Sequence, residues 1–74
     1  MKLSDLEIGE SGIVTEIKVA KKAKVGLQYV GLTKGVKVTI IRVAPFSDPI
    51  EIKLRDFCLA IRRDDANLIS VEKV

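Results

Sequence analysis

The chain has no histidine, a single cysteine and only three aromatic residues, Tyr29, Phe46 and Phe57. Histidine is the commonest metal ligand and the side chain that titrates nearest neutral pH, so its absence removes Ser/His and Cys/His nucleophile–base pairs. It also strips a self-contained transition-metal site of its usual donors. Cys58 alone cannot build an intramolecular disulfide framework. The opening Met1-Lys2-Leu3-Ser4-Asp5 turns acidic at once and leads into no apolar stretch, which is not the pattern of an export signal. Both features lead us to expect the reducing cytoplasm. No apolar run approaches the ~20 residues of a membrane-spanning helix. Three aromatics are few for a single-strand nucleic-acid binder, which stacks bases on aromatic platforms. Nothing in the chain calls for a cofactor.

What is present is the composition of one small soluble domain. Seventy-four residues, 47% hydrophobic and 31% charged, suit a single folding unit over 1–74 whose core has little to spare. The net charge of +3 is unevenly spread. Asp5, Glu7, Glu10 and Glu16 precede a stretch from Ile17 to Ser47 with no acid, which carries Lys18, Lys21, Lys22, Lys24, Lys34, Lys37 and Arg42. Such asymmetry can steer an acidic partner, a nucleic acid or an anionic surface, or simply keep a face solvated.

The hydrophobic pattern is mostly of period two. After a lead-in and the Gly9-Glu10-Ser11-Gly12 turn signal, Ser11 to Val19 reads as a strand with Ile13, Thr15, Ile17 and Val19 on one side. Ala20 to Val30 is the one helix candidate, its Ala23, Leu27 and Val30 forming an apolar stripe and Gly31 its left-handed cap. Val36 to Val43 is a strand broken in phase at Ile40-Ile41, the mark of a bulge. Ile50, Ile52 and Leu54 alternate in a third strand, Arg55-Asp56 turns, and Phe57, Leu59 and Ile61 form a fourth. Arg62 to Asn67 is a polar turn, and Leu68 to Val71 is the last strand. Five short strands with one helix inserted after the first predict a mainly β, small curled barrel, closed so that its edges are covered.

Four segments carry a family resemblance over essentially the whole chain. Leu3-Ser4-Asp5-Leu6 with Gly9-Glu10-Ser11-Gly12, Gly31-Leu32-Thr33 with Gly35, Asp48-Pro49-Ile50-Glu51-Ile52, and Leu59-Ala60-Ile61-Arg62-Arg63 followed by Ala66 and Ile69 stand in the order seen in the FeoA family. The sequence resembles these ferrous-iron-transport accessory proteins, whose fold is an SH3-like barrel. The resemblance implies a non-enzymatic cytoplasmic protein that binds or regulates the FeoB-type iron permease of the inner membrane, through the permease's cytoplasmic GTP-binding domain. Lys34 stands where that family usually has proline, Tyr29 where it often has an acid, and Arg55-Asp56 lacks a glycine common in that hairpin. A similar module forms the C-terminal domain of metal-dependent repressors. With no helix-turn-helix before it here, a basic nucleic-acid-binding or stand-alone sensor module is the alternative. A homo-oligomer stays open.

The candidate partner-binding residues are Lys21, Lys22, Lys24, Gln28 and Tyr29 on the helix, lysines for an acidic surface and tyrosine for area at low entropic loss. Phe46, between Pro45 and Pro49, is expected to fold back and plug the barrel, because a small core needs its aromatics. Cys58 is expected to be an inert strand residue. Asp64-Asp65 beside Arg62-Arg63 is expected to form a local ion pair or turn cap, and no catalytic or metal-binding residue is assigned.

Overall fold

A computed structural model describes residues 1–74. Its five strands are β1 (Ser11–Ile17), β2 (Lys37–Val43), β3 (Ile50–Leu54), β4 (Phe57–Ile61) and β5 (Ile69–Lys73), with helix α1 (Lys21–Tyr29) between β1 and β2 and the single turn α2 (Arg63–Ala66) before β5. All pairings are antiparallel, in the order β4-β3-β2-β1-β5. Every strand contributes buried side chains to one core, and α1, which has no buried residue, does not cover it. The sheet is therefore curled around its own core.

Sixteen buried side chains fill that core, every one an aliphatic residue. Ile50, Ile52 and Leu54 supply the inward positions of β3, Val38 and Ile40 those of β2, and Ile69 and Val71 those of β5. The phase break foreseen in β2 is a bulge between Ile40 and Arg42. It swings Arg42 outward, where its guanidinium donates to Glu51 Oε2 at 2.9 Å across the ladder. A second bulge, between Val14 and Glu16, overturns the expected facing of β1. Val14 is buried and Thr15 exposed, and the extra residue brings Ile17 back inside.

Gly12 shows how close the strands come. A Cβ built there would lie 3.0 Å from Val71 Cβ and 3.3 Å from the Glu72 carbonyl oxygen. Gly12→Ala should therefore destabilise the fold by about 1–3 kcal/mol through overpacking, measured as a lower urea midpoint. An unchanged midpoint would show that β1 and β5 separate freely.

Edge closure is only partial. No ladder joins β4 to β5, but the N-terminal segment covers the outer side of β5: Lys2 bridges Ser70 and Val71 N–H donates to the Met1 carbonyl at 2.8 Å. Leu3 and Leu6 then drop into the core. Glu10 and Lys73 form an ion pair at the surface. The Lys73 hydrogen bond holds the Glu10 carboxyl below its usual range, and the same bond raises the Lys73 ammonium. A depressed carboxyl contributes stability above its unfolded pKa and loses it as pH falls through the folded value; a raised ammonium contributes below its unfolded pKa and loses it as pH rises through the folded value. The Glu7 backbone N–H, which donates to Glu10 Oε1 at 2.7 Å, also lowers that carboxyl, so Lys73→Gln should remove only the lysine's share of the acid destabilisation due to Glu10, giving a flatter midpoint-against-pH curve between mildly and strongly acid solution.

Candidate functional site

Helix α1 sits outside the sheet. It carries no buried residue, and its Leu27, half-buried, packs on the core. What ends it is the glycine read from the sequence. Gly31 adopts φ +94°, Leu32 N–H donates to the Leu27 carbonyl at 2.9 Å and Gly31 N–H to that of Gln28 at 3.0 Å. This pair of reversed bonds satisfies the last carbonyls of the helix, and buried Leu32 anchors the chain beyond it. An isolated nine-residue helix is marginal in water, so this cap and the Leu27 contact carry much of its local order.

The five candidate residues all lie on α1 but do not form one cluster. Lys21, Lys24 and Gln28 line a groove of about 460 Å³ against the end of β1, together with Ile17, Val19 and Val25. Lys24 and Gln28 also line its continuation toward Thr33 and Lys34. Positions 21, 24, 25 and 28 follow the spacing of one helical face. Lys22 and Tyr29 project from the neighbouring face, where Tyr29 is 92% exposed and Val25, between the two sets, 55%. The arrangement is an apolar-floored groove with an ammonium rim beside an exposed Val25–Tyr29 ridge. Sequence reasoning missed Ile17, Val19 and Val25 as site residues. The expected Ala23-Leu27-Val30 stripe holds only in part, since Ala23 is exposed while Leu27 and Val30 are half-buried; Val25, an apolar residue off that stripe, was the available signal.

Other assignments need correction. Phe46 does not plug the barrel; it is fully exposed. Its backbone and that of Ser47 lie in the left-handed region, at φ 67° and 68°. Arg63 pins this loop, its Nε donating to the Ser47 carbonyl at 2.8 Å while its own N–H donates to Asp48 Oδ1 at 3.0 Å. Asp48 thus caps α2 from a distance, and Asp64 and Asp65 make no ion pair. Cys58 lies exposed on edge strand β4. No three Cys, Asp or Glu side chains gather around a common point that could hold a metal ion, and no helix is long and apolar enough to cross a membrane.

Comparison with known proteins bears on the whole of this architecture. The Fe(2+) transport protein A/Fe(2+) transporter FeoB fusion protein of Porphyromonas gingivalis is 27% identical over all 74 residues, which span 9% of that much longer protein. The FeoA protein of Chlorobium tepidum is 35% identical, with a TM-score of 0.96 over all of this chain and 70% of its own. Stenotrophomonas maltophilia FeoA in complex with zinc, described as a prokaryotic SH3 domain protein, is 25% identical and superposes with a TM-score of 0.82 over 97% of this chain and 89% of its own. The FeoA domain model matches residues 1–73, and the chain therefore belongs to the FeoA family.

Proposed function

We propose that this protein is a non-enzymatic cytoplasmic accessory of ferrous-iron uptake that docks on the GTP-binding domain of a FeoB-type permease through the groove and ridge of α1. The observation that carries the reading is the helix itself: an element with no buried side chain, presenting Val25 and Tyr29 to solvent beside Lys21 and Lys24. A groove with an apolar floor and a cationic rim suits an acidic, partly apolar surface, with the charges steering encounter and the tyrosine supplying buried area. The P. gingivalis relative joins an A-type domain to a FeoB transporter in one polypeptide. Such a tether supplies the high effective concentration that a modest docking surface needs. The groove contains no nucleophile–base pair, so any influence on nucleotide turnover works by positioning the partner's own groups. The test is capture of the cognate permease's cytoplasmic domain by the intact chain. Retention supports the reading, and no retention at low salt, where steering is strongest, overturns it.

A further inference from the structure

A second concave surface lies on the outer side of the sheet, on different strands from the α1 groove. It is a cleft of about 390 Å³ lined by Lys37 and Thr39 of β2 and by Lys53 and Arg55 at the end of β3. Three of its four residues are cations, and none of the three takes part in an ion pair. Two nearby acids are already engaged, Glu51 by Arg42 and Glu10 by Lys73, and Asp56, next to Arg55 in the turn, makes no ion pair with any of the three cations. Thr39 adds a hydroxyl, in a hydrogen bond with Ser11 Oγ at 2.7 Å.

Two features of this cleft oppose the stability of the fold. In the β2–β3 ladder Thr39 pairs with Lys53 and Val38 with Leu54, so Lys37, just before Val38, and Arg55, just after Leu54, stand at the same end of the ladder and line one cleft with Lys53. Like charges gathered around one cleft without counter-ions repel one another. Arg55 is also the first residue of the two-residue loop between β3 and β4, since Leu54 pairs with Phe57, and its φ is +54°. Glycine is the usual occupant of such a position, because a Cβ strains the left-handed backbone. A guanidinium has thus been placed where both the backbone and the neighbouring lysines of the cleft disfavour it. Local choices that work against the fold gather at sites that serve something else.

We propose that this cleft binds a phosphate-bearing anion, with a soluble oligophosphate as its occupant. An arginine fork reads two phosphate oxygens at once, while the lysines act as point charges around it. Three cations and a hydroxyl exceed what a single phosphate group needs, and the width of two strands gives room for two linked groups. A bound anion offsets the repulsion among Lys37, Lys53 and Arg55, so binding and stability are linked.

The test is thermal unfolding, followed by circular dichroism, with inorganic pyrophosphate as the probe and sodium chloride at matched ionic strength as the reference. Wild-type Tm should rise by about 3–5 °C at saturating pyrophosphate, because the anion binds only the folded state. Arg55→Gly should behave in two opposite ways: its Tm without pyrophosphate is higher than wild type, and its response to pyrophosphate falls below about 1 °C. Lys37→Gln relieves the same repulsion with the loop untouched and should share both properties in weaker form. General stabilisation by an excluded salt moves wild type and variants together, so equal responses overturn the proposal. So does a lowered Tm of Arg55→Gly without pyrophosphate, which would make Arg55 a structural residue. Retention on phosphatidylglycerol vesicles with no response to pyrophosphate would overturn the soluble occupant, and an equal response to a polyglutamate peptide would overturn phosphate chemistry.

Discussion

Ile52→Ala should leave the protein at the edge of unfolding. Ile52 is completely buried in β3, paired to Ile40 on one side and to Leu59 on the other, so truncation opens a cavity that neighbours on two ladders hold apart. Buried isoleucine-to-alanine changes remove about 2–5 kcal/mol, and a domain of this length has in total about 4–11 kcal/mol to lose. A urea midpoint lower by about 2–5 M is the expected reading, at the ~1 kcal/mol per molar slope of a small protein. Phe46→Ala, the larger truncation, should move the midpoint by no more than about 0.5 kcal/mol equivalent, because that ring touches water alone. If the two variants destabilise equally, the aliphatic core described above is not what holds the fold.

The second large effect concerns the two sides of α1. Reversing the groove rim with Lys21→Glu and Lys24→Glu should weaken capture of the permease domain about tenfold to a hundredfold, chiefly by slowing association, and should abolish its salt dependence. Tyr29→Ala should act instead on dissociation, speeding it tenfold or more if the ring sits at the centre of the interface. All three positions are on the helix exterior, so circular dichroism should be unchanged in every variant. Surface-resonance rates separate the two outcomes. Unaltered rates in both variants would remove α1 from the interface.

Most of the architecture was legible because it follows local rules. Alternation placed β3 to within a residue, the doubled Ile40-Ile41 announced the β2 bulge, and Gly31 marked the end of α1 through its positive φ. What failed needed knowledge of register. The β1 bulge at Val14–Glu16 falls on polar Thr15-Glu16, and adjacent apolar Ile13-Val14 fits either phase, so strict alternation from Ile17 back puts Ile13 inward where the structure buries Val14. Hydrophobicity alone places Phe46 inside, whereas Arg63, sixteen residues after Ser47, fixes the loop that turns it out. The five candidate residues were found as a helix, but their division between groove and ridge follows from angular spacing around it. The cleft of Lys37, Thr39, Lys53 and Arg55 joins two segments more than ten residues apart, and only the strand register brings them side by side.

The placement of the aromatics has a practical consequence. With no tryptophan and a single tyrosine, all ultraviolet emission excited above the phenylalanine band comes from Tyr29, whose ring is already in water when the chain is native. Denaturation hardly alters its surroundings, so a fluorescence trace through a urea series should stay nearly flat while ellipticity collapses. Contact with another macromolecule would shield that phenol, making it an unlabelled optical reporter of docking that is blind to unfolding.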